Sequence, residues 1–321
     1  MIKVENLVKN FGPKLAVNDV TFTVERGEVL GFLGPNGAGK STTMRMVTGF
    51  IPPTSGRISI GGHDMLENPI PAKRLIGYLP ENAPSYADMT VLGFLGFAAE
   101  MRGMTGDTKK KAVNRAIEMC MLDNVVHQTI DTLSKGYRHR TCLAQSIIHD
   151  PEILIMDEPT DGLDPNQKHE VRNLIKRMGT NKAIIFSTHI LEEVDAACSR
   201  VLIIDRGRIV ANGTPDELRQ RSQLAGAVSV VIAGLTAAEL AEKLATIPLV
   251  SRVETIGEDG GQAIVRAYPK EPARKPELVR AVLDLVAQQR WKIEDLRTEE
   301  GHFDEVFRSI TLPDTFKEAR A

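Results

Sequence analysis

The sequence has little of what marks secreted, metal-rich or membrane-spanning chains. Its three cysteines, Cys120, Cys142 and Cys198, are odd in number and have no C-x-x-C spacing, which argues against a disulfide framework and a zinc site. No apolar run approaches the roughly 20 residues that span a bilayer, and no charged-then-apolar leader opens the chain. We therefore expect a reduced cytosolic compartment and no membrane crossing by this chain alone.

An overall basic field is also missing. The formal net charge is −2 at neutral pH, so nucleic acid is not expected as the main partner. The 321 residues are 42% hydrophobic, which is enough for a large core and a length suited to about two domains.

The first two thirds of the chain alternate short apolar runs with helix-like stretches, up to about Leu218. This pattern predicts an α/β domain with a largely parallel sheet, whose strands lie at residues 29–33, 75–79, 153–157, 183–187 and 201–205. Alternating polarity at residues 2–7 and 20–24 predicts a smaller antiparallel β element. Helical spacing between Thr90 and Thr132 indicates an inserted helical subdomain.

The pattern changes again from about Gln223. Strands are predicted at 228–232, 250–255, 263–267 and 291–296, helices at 237–244 and 277–288, and an amphipathic turn at 303–307. Leu278, Val282 and Leu285 share one helix face, which predicts packing on a sheet, and the order βαββαβ is ferredoxin-like. We expect one domain at 1–222, with its helical subdomain at about 82–145, and a small α+β domain at 223–321.

The most informative segment follows the apolar run at 29–33. It is a G-x-x-x-x-G-K-S sequence made of Gly34, Pro35, Asn36, Gly37, Ala38, Gly39, Lys40 and Ser41. Glycines allow backbone N–H groups to turn towards a polyphosphate, Lys40 can reach its β and γ oxygens, and the Ser41 hydroxyl can hold Mg²⁺. The helical segment that starts at Thr42 would direct its positive dipole end at the same phosphates.

A second acidic motif closes the apolar run at 153–157. Asp157 at a strand end can hold the Mg²⁺ that bridges β and γ phosphates, and Glu158 can take a proton from the attacking water. Two adjacent carboxylates can also form an ordinary solvated strand end. The phosphate-binding segment upstream favours the functional interpretation.

With these motifs in this order, residues 1 to about 220 resemble the nucleotide-binding subunit of an ABC (ATP-binding cassette) transporter. The resemblance implies a P-loop NTPase fold. The signature segment, Leu133-Ser134-Lys135-Gly136-Tyr137, resembles the family's L-S-G-G-Q, which opens a helix and caps the γ-phosphate of ATP bound to a second copy. The resemblance implies that Ser134 and Gly136 donate to that anion, although such a segment alone would pass for an N-cap.

The resemblance extends to three further positions. His189 matches the switch histidine that contacts the γ-phosphate and helps to position water, although a lone histidine is more often structural. Asp164 matches the D-loop at the dimer interface, although by itself it predicts a turn and N-cap. Phe11 lies where the family stacks an aromatic ring on adenine, or it is a hydrophobic residue at a strand end.

Two positions depart from the family pattern. Glu81 stands where most members have a glutamine that ligates Mg²⁺ and communicates with the membrane partner. In the signature, Lys135 replaces a glycine and Tyr137 replaces a glutamine. The loss of the glycine restricts how closely the backbone approaches the nucleotide, whereas the lysine adds attraction to a triphosphate. This combination, with the C-terminal extension, resembles the gliding-motility and multidrug exporter type.

The resemblance implies an ATPase that works with Mg²⁺ as a head-to-tail dimer and drives a separate integral membrane permease. The chain would then be cytoplasmic and peripheral on the inner face of the membrane, and we expect the permease near residues 82–104, where Pro84, Tyr86, Met89 and Phe94 could instead be core packing. The alternatives are a soluble ABC ATPase acting on nucleic acid or ribosomes, and a module that binds ATP only as a regulatory ligand.

Overall fold

Five of the predicted apolar strands lie side by side in the computed structural model, which describes residues 1–82, 84–271 and 274–311. By internal contacts the chain divides between Pro215 and Asp216. The strands of the first unit are β1 (Ile2–Phe11), β2 (Lys14–Val24), β3 (Val29–Leu33), β4 (Ser55–Ile60), β5 (His63–Asp64), β6 (Ile76–Leu79), β7 (Ile153–Asp157), β8 (Ala183–Thr188), β9 (Arg200–Asp205) and β10 (Arg208–Gly213). Its helices are α1 (Lys40–Val47), α2 (Pro69–Arg74), α3 (Val91–Met101), α4 (Gly106–Met119), α5 (Lys135–Ile147), α6 (Pro165–Gly179) and α7 (Leu191–Ala197).

The central sheet has the order β10-β9-β3-β8-β7-β6, and all neighbours are parallel except the edge pair β9 and β10. Both faces are buried at the centre of the sheet, because alternate residues of β7 and β8 enter different apolar clusters. In β7, Leu154 packs in one cluster and Ile155 in the other. Continuous apolar runs are typical of such doubly covered strands, which explains why the predicted bounds of β3 and β7 are confirmed.

The predicted antiparallel element is confirmed but larger than expected. Its sheet has the order β2-β1-β4-β5, and β4 pairs antiparallel with β1. The sequence of β4, Ser-Gly-Arg-Ile-Ser-Ile, hides its strand character because its first three residues are polar or glycine and lie exposed.

The predicted helical insert is also confirmed. Thr90 caps α3 by accepting a hydrogen bond from the Gly93 N–H at 3.1 Å. The apolar faces of α3, α4 and α5, with Leu95, Ile117 and Leu143 among them, pack into the cluster that covers one face of the central sheet. The insert therefore shares a core with the strands that carry the motifs.

The second unit contains α8 (Pro215–Arg219) at its start, then β11 (Val228–Ala233), α9 (Ala237–Ala245), β12 (Val250–Asp259), β13 (Gln262–Pro269), α10 (Lys275–Gln289), β14 (Lys292–Thr298) and α11 (Phe303–Ile310). Its antiparallel sheet has the order β12-β13-β11-β14. Leu278 and Val282 are buried as predicted, Val286 completes the face, and Leu285 packs half-buried against it. The predicted turn at 303–307 is a helix of 8 residues; residues 312–321 of the expected domain lie outside the described residues.

Across the described parts of the chain, every helix is too short or too polar to cross a bilayer.

Candidate active site

Strand order brings the sequence motifs to one edge of the central sheet. β3 lies beside β8, where Leu33 pairs with Thr188, and β8 lies beside β7, where Ser187 pairs with Asp157. The segment that follows each strand therefore leaves the same edge: the glycine-rich loop after β3, Glu158 after β7 and His189 after β8.

The glycine-rich loop has a shape that side chains would obstruct. Gly39 has a φ of 110°, and a Cβ there would lie 2.7 Å from the carbonyl oxygen of Ala16. A Cβ on Gly34 would lie 2.3 Å from the carbonyl oxygen of Ile204. Helix α1 begins at Lys40 without a side-chain cap, so the N–H groups of its first turn remain suited to an anionic ligand.

Lys40 is held inside this loop. Its ammonium donates to the carbonyl oxygens of Gly34 at 2.7 Å and Pro35 at 3.3 Å, and it lies 3.8 Å from a carboxylate oxygen of Glu158. Burial lowers the pKa of Lys40, and the carboxylates of Glu158, Asp157 and Glu81 oppose that shift. The ammonium is therefore both desolvated and surrounded by negative charge.

Glu158 adopts a strained backbone conformation that aims its side chain. Its φ is 51°, in a region that costs a non-glycine residue about 1–3 kcal/mol. The Glu158 N–H donates to the carbonyl oxygen of Ser187 at 3.2 Å and to its hydroxyl at 3.1 Å. The carboxylate lies 3.0 Å from Nδ1 of His189. Burial raises the pKa of Glu158, and His189 and Lys40 oppose that rise.

Ser187 also contacts the second acidic residue. Its hydroxyl donates to the Asp157 carboxylate, which is 1% exposed. One hydroxyl thus contacts both residues of the acidic motif, through the side chain of Asp157 and the backbone of Glu158. Ser187 carries no functional signal of its own in the sequence, although it directly precedes the Thr188-His189 pair at the end of β8.

A cavity of about 690 Å³ opens at this edge. The predicted residues that line it are Phe11, Asn36, Gly37, Gly39, Lys40, Ser41, Thr42, Glu81, Glu158 and His189. Its other lining residues are Lys14, Ala16 and Asp161. The sequence carried a signal for them, since Lys14 and Ala16 follow Phe11 at the start of β2 and Asp161 lies three residues after Glu158. The volume lies within the range of small-molecule sites.

The remaining predicted residues do not line this cavity. Gly34, Pro35 and Ala38 complete the loop, with the Ala38 N–H bonded to the Pro35 carbonyl at 3.2 Å. Ser134 caps α5, accepting a bond from the Tyr137 N–H at 3.3 Å, and Asp164 caps α6, accepting from the Gln167 N–H at 3.0 Å. Lys135 and Gly136 form the first turn of α5. Ser134, Lys135 and Gly136 of the signature segment are therefore not among the lining residues of their own chain's cavity.

Known proteins are similar to this chain in sequence and fold. The family model for ABC transporters matches residues 17–161. The linearmycin resistance ATP-binding protein LnrL of Bacillus subtilis strain 168 is 35% identical over 241 residues, which cover 75% of this chain and 78% of that protein. This chain belongs to the ATP-binding subunits of ABC transporters. As such a subunit it binds ATP and couples ATP hydrolysis to transport.

Two further comparisons agree with this assignment. The Nod factor export ATP-binding protein I of Burkholderia lata is 37% identical over 221 residues, 68% of this ABC subunit and 72% of that protein. A solved structure of an ATP-binding subunit of an ABC transporter has a TM-score of 0.64 and 30% identity, covering 69% of this chain and 92% of that one. The P-loop cassette fold predicted from the sequence is confirmed.

Replacing Glu81 by glutamine is expected to leave hydrolysis within about threefold of the unmodified subunit, because an amide of the same length would still offer an oxygen to the Mg²⁺ that the family resemblance implies at this position. Phosphate release at saturating Mg²⁺ and ATP measures this, with the exposed Glu118→Gln as the matched control. Complete inactivation of Glu81→Gln alone would show that the carboxylate itself is required.

Proposed function

We propose that this subunit works as a head-to-tail dimer that ATP closes and hydrolysis reopens. One observation carries the proposal: none of the described residues that line the cavity with the phosphate-binding loop, Glu158 and His189 belongs to the signature segment of the same chain. A second copy would supply Ser134 and Gly136, whose helix N-terminus suits a terminal phosphate. Two nucleotides would then be enclosed between the two copies.

Within each half, the residues divide the chemistry. Phe11 is 50% exposed on the cavity wall and would stack on adenine, while the N–H groups after Gly39 and the ammonium of Lys40 would bind the phosphates. Glu158 would accept the proton of the attacking water, and His189, hydrogen-bonded to it, would orient that water and the γ-phosphate. Asp164 would contact the second copy.

The oxygen ligands of Ser41, Glu81 and Asp157 suit Mg²⁺, which binds one or two carboxylates together with substrate phosphates. Ser41 and Glu81 line the cavity, and Asp157 lies buried at the adjacent strand end with Ser187. When bound, the ion would neutralise charge on the β and γ phosphates. Glu81 would hold it with a full negative charge where most relatives use an amide.

The direction of transport is proposed from the relatives. The names of two of them record resistance to linearmycin and export of Nod factor, and we infer export for this subunit too. The gliding-motility and multidrug type suggested by Lys135, Glu81 and the C-terminal extension remains part of this proposal. We assign residues 1–222 to the ATP-binding domain, with its helical subdomain at about 82–145, and 223–321 to an accessory domain.

A groove of about 670 Å³, with Tyr86, Phe94, Phe97 and Met101 among its lining residues, is the proposed contact site for the membrane permease. Met101 is 71% exposed there, and Tyr86 contacts both Phe94 and Phe97 edge to face. Phe94 is buried, as the core-packing alternative requires, but Tyr86, Phe97 and Met101 remain exposed. An exposed aromatic and sulfur-containing groove suits an apolar segment at the inner membrane surface.

Replacing Phe97 and Met101 together by serine is expected to reduce recovery of the permease about tenfold, because the apolar anchors are lost. The measurement is copurification from native membranes, with ATP hydrolysis by the isolated chain unchanged. Leu66→Ser is the matched control, since Leu66 is 57% exposed outside the groove. Undiminished recovery of the permease with the double variant would exclude this groove as the contact site for the permease.

The function as a whole is tested with two measurements on the purified chain. Phosphate release that requires Mg²⁺ and ATP is expected, and a polytopic protein is expected to copurify from membranes. Release without any membrane partner, with nucleic acid or ribosomes bound instead, would favour the soluble alternative. Binding of ATP without release would favour the regulatory module.

A further inference from the structure

The start of α5 is tied to the loop that follows β7. The ammonium of Lys135 donates to a carboxylate oxygen of Asp161 at 2.9 Å. Lys135 is the residue that replaces a glycine in the signature segment, and Asp161 lines the cavity beside Glu158 and His189. The pair thus joins the helix that carries Ser134 and Gly136 to a residue of the chain's own nucleotide cavity.

Glycine at position 162 makes room for this pair. Gly162 has a φ of 69°, and a Cβ there would lie 2.3 Å from Nζ and 2.4 Å from Cε of Lys135. A second close contact lies on the other side of the helix start, where a Cβ on Gly136 would lie 2.2 Å from Oε1 of Gln167. The first turn of α5 is therefore hydrogen-bonded to the loop after β7 and packed closely against the first turn of α6.

The Lys135–Asp161 pair is exposed and is expected to contribute little to the stability of the fold. The side chains of Lys135 and Asp161 are 68% and 53% exposed, and exposed ion pairs contribute little to stability. The hydrogen bond from Lys135 holds the pKa of the Asp161 carboxyl below its usual range. An exposed pair that joins two functional segments is better suited to positioning than to stability.

We propose that the Lys135–Asp161 ion pair is a positioning contact for ATP hydrolysis, which sets the signature segment of one copy relative to its own nucleotide cavity. This inference rests on the proposed head-to-tail dimer. There, Ser134 and Gly136 face the nucleotide of the second copy, whereas Asp161 lines the site of its own chain. Because the same pair contacts both segments, it links the geometry of the two enclosed sites.

A double-mutant cycle tests this link. Lys135→Met and Asp161→Asn are each expected to lower kcat/KM for ATP about tenfold, since a small misplacement of a donor is costly. The double variant is expected to be no worse than either single variant, because each change breaks the same contact. Lys135→Arg is expected to stay within about threefold of the unmodified chain, because a guanidinium can also donate to Asp161.

A binding measurement separates positioning from folding. In a Glu158→Gln background, light scattering gives the ATP concentration at half-maximal dimerisation, which Lys135→Met should raise about tenfold. Nucleotide affinity of the monomer should not change with Lys135→Met. The matched control is Lys3→Met, which breaks an exposed pair of the same 2.9 Å length with Glu5, far along the sequence from both segments.

Three results would overturn the proposal. Defects that multiply in the double variant would show independent roles. If Asp161→Asn leaves kcat/KM unchanged while Lys135→Met lowers it, Lys135 instead acts as a direct ligand of the second copy's phosphate. Equal behaviour of Lys135→Met and Lys3→Met would leave the pair without a role. Failure of the proposed function looks different, because the unmodified chain itself would then neither dimerise with ATP nor release phosphate.

Discussion

Glu158→Gln is expected to slow ATP hydrolysis by about 10²–10⁴ while ATP binding persists. The amide has nearly the same size as the carboxylate but cannot accept the proton of the attacking water. The backbone N–H of residue 158 keeps its hydrogen bonds to Ser187 in the variant, whereas the charge that faces His189 and Lys40 is lost. The change therefore removes the carboxylate and leaves the backbone position of residue 158 in place.

Single-turnover phosphate release and titration with a fluorescent ATP analogue measure the two quantities separately. The matched control is the exposed Glu118→Gln in α4, which makes the same chemical change outside the cavity. Because burial raises the pKa of Glu158, the base becomes protonated at a higher pH than an ordinary carboxylate, and hydrolysis should fall as the pH drops through that value. Near-normal turnover in Glu158→Gln would remove this residue as the base.

The strands at the centre of the sheet could be predicted because burial on both faces requires a continuous run of apolar residues. β3 and β7 are covered on both faces, so nearly every residue is apolar and the run ends where the strand ends. β10, Arg208–Gly213, was missed because an edge strand with mostly exposed residues has no such run. A strand of this sheet can therefore be predicted from its sequence when it is buried on both faces, and is easily missed when it is exposed at an edge.

The candidate site divides in a similar way. Glu158 and His189 directly follow apolar strands, and Lys40 follows β3 after the glycine-rich loop. Parallel strands bring their carboxyl ends to one edge, so these positions together with the family resemblance predicted a shared site. The contact of Ser187 with Asp157 and the pair of Lys135 with Asp161 depend on strand register and on a turn through Gly162. Such contacts join residues remote in sequence, and no local pattern reports them.

Lys40→Met is expected to weaken ATP binding at least 100-fold and to reduce hydrolysis at least 10³-fold. The ammonium would make two charge-assisted hydrogen bonds to phosphate oxygens, each worth about 1.5–3 kcal/mol. Its side chain is 6% exposed, so water cannot substitute for the lost charge as it could at the surface. Methionine has a similar length and leaves the loop filled with an apolar chain.

Calorimetric titration with ATP and Mg²⁺ measures the affinity, and thermal unfolding checks that the variant is folded. Lys110→Met is the matched control, because Lys110 is an exposed lysine of α4 that does not line the cavity. In Lys40→Met the carboxylate of Glu158 loses the cation 3.8 Å away, so repulsion of the triphosphate by Glu158, Asp157 and Glu81 adds to the loss of hydrogen bonds. If ATP binds Lys40→Met as tightly as the unmodified chain, the polyphosphate cannot lie in the loop of residues 34–41.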